Sequence, residues 1–254
     1  MNTPLTHLLH ELDLLKAKLQ AIRPLPMEAL NKIKAALEME YTYESNRIEG
    51  NTLTLQETAL VVSEGVTISG KSMREHLEAI NHAQAIDFIK DIATADIEIT
   101  ERTIKEIHAI ILHSINREQA GKYRNVPVMI VGSKYVPPQP YLVAPQMEQF
   151  IREYQSMKAN GTHSVLIAAF LHDELVKIHP FIDGNGRTSR LLMNLYLLSN
   201  GYTITTLKGD NEAKQAYYKA LEQSHTNNNR EPFYFLVADA VKKSLETYIN
   251  IIGQ

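Results

Sequence analysis

Residues 177–190 read KIHPFIDGNGRTSR, a polar loop set between two apolar helical segments. Pro180 disfavours the right-handed α conformation at His179, so one helix ends there, and the next begins within the GNG sequence. Gly184 and Gly186 permit a bare backbone whose N–H groups, at a helix N-terminus, suit phosphate oxygens. The stretch therefore predicts a phosphate-binding turn on a helical scaffold.

Four side chains of this stretch carry the chemistry. Arg187 and Arg190 share the first turn of the second helix and could clamp a polyphosphate, while Asp183 offers the hard oxygen that Mg²⁺ prefers. His179, with an ordinary pKa of ~6.5, is suited to act as a general base for a hydroxyl. Each residue alone is more typical of a turn, a cap or a packed helix end. Their combination in so short a stretch favours a catalytic site.

The composition limits the alternatives. The chain has 254 residues, 44% of them hydrophobic, and contains no cysteine. A disulfide scaffold, a thiolate nucleophile, a zinc finger and an iron–sulfur cluster are therefore excluded, and any metal must be held by oxygen or imidazole. The net charge of -3 argues against a broad nucleic-acid or membrane surface. Without an apolar leader or a long apolar run, a cytoplasmic location is expected.

Apolar residues recur at helical spacing along almost the whole chain, which predicts a mainly α fold. Two N-terminal helices are predicted on either side of residues 24–26, and capping boxes at 54–57 and 72–75 predict two more helix starts. Further helices are predicted over 103–113, 145–157 with Pro145 in the first turn, 163–178, 186–199, 211–223 and 231–250. The exception is 126–138, whose apolar run and Gly-Ser turn predict a short hairpin.

The stretch from His179 to Arg190 matches the signature H-x-F-x-[DE]-G-N-G-R-x-x-R of the Fic family at every specified position. The chain resembles that family over about residues 45–240, especially the branch that includes the animal endoplasmic-reticulum AMP transferase. The resemblance implies a Fic-type helical bundle with a β-hairpin flap. It also implies two parts, residues 1–52 with an inhibitory helix and residues 53–254 as the catalytic core.

The resemblance further implies transfer of AMP from ATP to a Ser, Thr or Tyr hydroxyl of a target protein, with Mg²⁺ present. His179 would deprotonate the hydroxyl, and Asp183 would hold Mg²⁺ on the phosphates. The remaining implied phosphate contacts come from Gly184, Asn185, Gly186, Arg187 and Arg190. Family members that transfer phosphate carry lysine at the position of Gly186, so its presence favours AMP transfer.

The sequence YESNRIEGNT, residues 43–52, is a second candidate feature. Ser45 and Glu49 share a helix face ahead of a Gly-Asn stop, and a carboxylate in the last turn costs about 0.3–1 kcal/mol unless a cation offsets it. From spacing alone, a solvated Glu49 or a pair with Arg47 is the simpler interpretation. The resemblance instead identifies an inhibitory motif and implies that Glu49 pairs with Arg190, where the γ-phosphate would bind.

Two further groups of residues enter through the resemblance. The flap over the nucleotide is expected at Val131, Gly132, Ser133 and Lys134, and its edge could align an extended target segment. Tyr217 and Tyr218 match a tyrosine pair near the adenosine, although one of two adjacent helical tyrosines could simply pack in the core.

The favoured function is therefore a Mg²⁺-dependent protein adenylyltransferase that Glu49 inhibits. Its expected partners are ATP, a protein with a modifiable hydroxyl and a second copy of the chain, with no nucleic acid and no membrane. Two alternatives stay open. One is removal of AMP, or another phosphoryl-group transfer, as the main activity. The other is a regulatory module that only senses ATP.

Overall fold

The computed structural model describes residues 3–22, 27–95 and 97–252, and in these ranges every regular element is a helix. The mainly α prediction is confirmed. None of the described helices combines the length and the apolar character needed to cross a bilayer. The helices are α1 (Pro4–Ile22), α2 (Met27–Ile48), α3 (Leu55–Glu64), α4 (Met73–Thr94), α5 (Glu101–Leu112), α6 (Pro140–Ala159), α7 (Ser164–Ile178), α8 (Asn185–Ser199), α9 (Asn211–Asn227) and α10 (Glu231–Ile252).

Both predicted capping boxes are present. At the start of α3 the Thr54 hydroxyl accepts from the backbone N–H of Glu57, whose carboxylate accepts from Thr54 N. The start of α4 has the same reciprocal pair between Ser72 and Glu75. Each box satisfies backbone N–H groups that the helix itself leaves unpaired. Local sequence therefore fixes where α3 and α4 begin.

Helices α7 and α8 form the centre of the molecule. α7 packs against α6, α8 and α10, and α8 packs against α4, α5 and α7, so both helices are buried nearly all round. α1 packs on α10 and α2 packs on α4, and both contribute side chains such as Leu12 and Ile48 to the main apolar cluster. The α7–α8 loop is consequently backed by the rigid core of the protein.

The predicted start of α6 was wrong. The helix begins at Pro140, with Gln139 in extended geometry before it, and Pro145 lies inside the helix. Pro140 occupies a first-turn position, where its missing N–H costs no hydrogen bond. The longer helix buries Val143 together with Met147, one turn apart. This additional burial explains why the helix begins at Pro140 instead of Pro145.

The flap region differs from the predicted hairpin in its pairing. A turn lies at 131–132, with Ser133 N donating to Ile130 O (3.1 Å), but no strand ladder forms among its described residues. Met129 and Val131 project into solvent. A two-stranded ribbon with no apolar face packed beneath it is marginal in water, which accounts for the missing ladder.

Candidate active site

The α7–α8 loop (residues 179–184) begins with an unusual backbone conformation. His179 ends α7 in the left-handed region (φ 50°, ψ 56°), which a non-glycine residue adopts only when its surroundings hold it there. Buried Arg124 supplies that support, because its Nε donates to His179 O (2.7 Å) and its backbone N to Pro180 O (2.9 Å). The same guanidinium donates to Val126 O (3.1 Å) and Pro138 O (2.6 Å), so it also anchors both ends of the flap.

Two further side chains hold the rest of the loop. His108 Nε2 donates to Asp183 O (2.9 Å), its Nδ1 accepts from Gly121 N (2.9 Å), and its ring stacks on Phe181 at a centroid distance of 3.6 Å. The Asn185 carboxamide bonds both the N–H and the C=O of Phe181 (3.0 and 2.9 Å). The Asn185 side chain is therefore occupied in shaping the loop, which leaves its backbone N–H for the predicted phosphate contact.

The His179 ring is arranged as a base. Its Nδ1 lies 3.3 Å from Val176 O, and donation to that carbonyl leaves the Nε2 lone pair free. Burial lowers the pKa of His179 to about 4, with the Arg124 charge acting in the same direction, although the hydrogen bond to Val176 and the charge of Glu49 oppose it. The imidazole is thus neutral at pH 7.

The N-terminus of α8 presents open backbone donors. Gly184 precedes the helix at φ 77° and no side chain caps this end, while the first N–H bonded back within the turn is that of Thr188, to Gly184 O (2.9 Å). A Cβ on Gly184 would lie 3.2 Å from Ile111 Cγ2, and one on Gly186 would collide with Glu49 Oε1. Gly184 is therefore favoured by its positive φ and its close packing, whereas a Cβ on Gly186 would mainly meet the end of the Glu49 side chain. The N–H groups ahead of Thr188 suit an anion.

Arg190 binds the predicted inhibitory segment, residues 45–51. This guanidinium is 1% exposed, and its Nη2 donates to Glu49 Oε1 (2.6 Å) and to Ser45 O (2.9 Å), while its Nε donates to Ser45 Oγ (2.9 Å). Burial alone would raise the pKa of Glu49, but the charges of Arg190 and Arg187 outweigh it and lower that pKa. The alternative partner Arg47 instead pairs with Glu44 (3.6 Å).

The end of α2 is held in place by close backbone packing. α2 ends at Ile48, and Glu49 lies in the turn that follows, with its N–H bonded to Asn46 O (3.0 Å). Gly209 lies so close that a Cβ there would sit 2.9 Å from Glu44 O and 3.1 Å from Ile48 N. Tyr218 adds a hydrogen bond from its hydroxyl to Ile48 O (3.1 Å).

Arg187 and Asp183 belong to a ring of four charges. Arg187, 2% exposed, lies 3.4 Å from Asp183 Oδ1 and 3.3 Å from Glu78 Oε1. Arg74 on α4 closes the ring, with contacts to Glu78 Oε1 (3.2 Å) and Asp183 Oδ2 (2.5 Å). Burial raises the pKa of Asp183, but Arg187, the Gly184 N–H and Arg74 outweigh that effect and lower it. Asp183 is therefore ionised at neutral pH.

A cavity of about 780 Å³ is lined by some of the residues that sequence analysis selected, although Asp183, Gly184, Asn185, Arg187 and Arg190 are not among its lining residues. Val131, Gly132 and Ser133 of the flap line it, whereas Lys134 lies beside it, with its backbone N–H on Glu222 Oε1 (3.3 Å). The other lining residues that sequence analysis selected are Glu49, His179, Gly186, Tyr217 and Tyr218. The structure thus brings the predicted base, the N-terminus of α8, the flap and the predicted inhibitory carboxylate to one cavity.

The tyrosine pair divides between two roles. Tyr217 is buried, and its hydroxyl meets both Arg190 Nη1 (3.4 Å) and His172 Nε2 (3.1 Å). Tyr218 is 45% exposed at the cavity wall. The expectation that one tyrosine packs in the core is met by Tyr217, which also helps to hold Arg190.

Sequence analysis gave no role to His108, Glu78 or Arg124. His108 lies on the apolar face of α5 between buried Ile107 and Ile111, a position that usually marks a packed histidine. The one sequence signal that could have identified this group of residues was Glu78, because it places a charged carboxylate among the buried positions of α4. A buried carboxylate requires a cationic partner, but the sequence does not say which one.

Comparison with known proteins gives consistent results. The Fic/DOC family profile matches residues 98–197. "Protein adenylyltransferase Fic" of Drosophila persimilis is 36% identical over 241 residues, which is 95% of this chain and 46% of that protein. The chain thus spans about half the length of the curated relatives it matches.

Solved structures show the same likeness. A glutamate-to-glycine variant of Fic-1 from C. elegans superposes with a TM-score of 0.85 at 30% identity, over 96% of this chain and 71% of that one. A Fic-domain-containing signaling protein from Bacteroides thetaiotaomicron superposes with a TM-score of 0.87 at 28% identity, over 95% and 96% of the two chains.

Proposed function

This chain is a member of the Fic/DOC family, and on that premise we propose that it transfers AMP from ATP to a Ser, Thr or Tyr hydroxyl of a target protein. The observation that carries the proposal is the neutral His179 ring in one cavity with the open N-terminus of α8. A base and an anion-binding backbone are what attack of a hydroxyl on a phosphate requires.

The proposed reaction uses the groups as follows. His179 Nε2 takes the proton of the target hydroxyl, and that oxygen attacks the α-phosphorus. Pyrophosphate leaves as the bond between the α-phosphorus and its bridging oxygen breaks. The backbone N–H groups of Asn185 and Gly186 stabilise the charge on the α-phosphate, and Arg187 binds the β-phosphate. The protein contributes position and charge, which is most of what phosphoryl-type transfer demands.

Asp183 is the residue that would hold Mg²⁺. The described residues contain no group of three or more potential ligands, but Mg²⁺ commonly uses one or two carboxylates together with substrate phosphates. Asp183 fits that use, since its side chain is 41% exposed and ionised beside the N-terminus of α8. The ion would neutralise charge on the α- and β-phosphates.

Glu49 is proposed to inhibit this reaction. Its carboxylate occupies Arg190, the side chain proposed to bind the γ-phosphate, and lies directly over Gly186. A triphosphate that reaches Arg190 must displace a carboxylate that carries the same sign of charge. ATP bound beside Glu49 would therefore be held in a position unsuited to transfer.

A second activity, removal of AMP from a modified protein, is favoured by one observation. Glu49 lines the same cavity as His179, and its lowered pKa keeps it ionised at neutral pH. An ionised carboxylate beside the α-phosphate position could orient a water molecule for hydrolysis.

The test supplies ATP labelled at the α- or the γ-phosphate and follows label bound to protein, in a Glu49→Gly background that removes the inhibition. Covalent α-label that disappears in the Glu49→Gly, His179→Ala double variant is expected. Loss of a general base costs about 10²- to 10⁴-fold in rate. Protein-bound γ-label would instead indicate a kinase, and the absence of both labels would favour an ATP-sensing module.

A further inference from the structure

Arg74 binds the carboxylate that the proposed function assigns to the metal. Its Nη2 lies 2.5 Å from Asp183 Oδ2, although 109 residues separate the two in sequence. Both side chains are partly exposed, with 57% of Arg74 and 41% of Asp183 accessible. The pair can therefore open without unpacking the core, and solvent ions can reach it.

Glu78 gives Arg74 a second ion-pair partner. Arg74 Nε already donates to Glu78 Oε1 (3.2 Å), one turn further along α4. Glu78 is itself held in place, because Asn51 Nδ2 donates to its Oε2 (3.1 Å) and Arg187 Nη1 lies 3.3 Å from its Oε1. When Arg74 leaves Asp183, its guanidinium stays paired with Glu78 instead of becoming an isolated charge.

The charge balance around Asp183 determines which ions can replace Arg74 there. Two guanidinium groups, Arg74 and Arg187, and two carboxylates, Asp183 and Glu78, cancel in the ring. A divalent cation added alone would leave an excess of positive charge. A cation that arrives together with a polyphosphate brings the compensating negative charge with it.

From this geometry we propose that Arg74 competes with the divalent cation for Asp183, so that the resting site binds bare metal weakly and accepts metal mainly together with a nucleotide. The inference rests on the proposed function for the identity of the metal ligand. It goes beyond that function in assigning to α4 a control of metal entry that is separate from Glu49.

The experiment measures Mn²⁺ binding to the nucleotide-free protein through the electron paramagnetic resonance signal of free Mn²⁺. Arg74→Gln is expected to lower the Mn²⁺ dissociation constant by about two- to fivefold, since exposed ion pairs contribute up to ~1 kcal/mol. Asp183→Asn should weaken binding at least tenfold. The matched control Arg102→Gln removes the same charge from another i,i+4 pair, with Glu106 on α5, and should bind as wild type does.

An Arg74→Gln protein with unchanged thermal unfolding and unchanged or weaker Mn²⁺ binding would overturn the proposal, as would an Asp183→Asn protein that binds Mn²⁺ normally. The labelled-ATP test is independent of this one. Tighter Mn²⁺ binding without any AMP transfer would overturn the proposed function alone, and AMP transfer without tighter binding would overturn the competition alone.

Discussion

The α7–α8 loop and the inhibitory segment meet at one cavity but are held in different ways. The loop is fixed by buried partners from several elements, including Arg124, His108 and Asn185. Glu49 of the predicted inhibitory segment contacts Arg190 of α8 instead, through a side chain that is 32% exposed, and 141 residues separate the two. The difference indicates that the proposed transfer site is preformed, while the contact proposed to restrain it can be released.

The largest expected effect comes from weakening the loop. Arg124→Ala removes buried hydrogen bonds to three carbonyls and should cost about 4–5 kcal/mol of unfolding free energy, since bonds to charged groups contribute at least ~1.5 kcal/mol each. AMP transfer should fall by about 100-fold because His179 and the flap lose their position. Urea unfolding and labelled-ATP rates measure the two effects. Retention of both values would show that the loop needs no such support.

A smaller and opposite effect is expected from the inhibitory segment. Gly209→Ala places a Cβ against the backbone of α2 at Glu44 and Ile48, so the turn that carries Glu49 must shift. Transfer should rise a few-fold, at a stability cost of about 1–3 kcal/mol for overpacking. In a Glu49→Gly background the same change should give no further rise. An additional rise there would mean that Gly209 acts on something other than Glu49.

The smallest effect concerns pH. Because burial lowers the pKa of His179 to about 4, the base form should persist as pH falls from 7 to 5. In the Glu49→Gly protein, transfer should therefore decline only as pH approaches 4. The unfolded chain takes up protons at ~6.5, so the contribution of His179 to stability is lost as pH falls below that value. Thermal unfolding must be followed in parallel, and half-loss of rate at pH 6.5 in a folded protein would contradict the assignment.

The two regions also differ in how far sequence predicts them. Helix starts at Thr54 and Ser72 were predictable because both partners of each capping box lie within four residues. The ring of Arg74, Glu78, Asp183 and Arg187 was not predictable, since its members come from α4, from the α7–α8 loop and from α8, and no local pattern encodes how these elements pack. The family resemblance, and not spacing, identified Arg190 as the partner of Glu49.

Local sequence patterns also failed to predict the structure where the same residues were compatible with two different structures. Pro140 and Pro145 both suit a first helical turn, and only burial of Val143 decides between them. The apolar run and the Gly-Ser turn in residues 126–138 predicted a hairpin, but a strand ladder there depends on an apolar surface packed beneath it, which these residues alone do not encode.

The most direct test of the account is the initial rate of AMP incorporation from α-labelled ATP in wild type, Glu49→Gly and the Glu49→Gly, Arg190→Ala double variant. If the ion pair between Glu49 and Arg190 restrains a preformed site, the single variant should exceed wild type at least tenfold, and the double variant should fall back to the wild-type rate or below it. A correctly folded Glu49→Gly protein with the wild-type rate, or a fully active double variant, would contradict it.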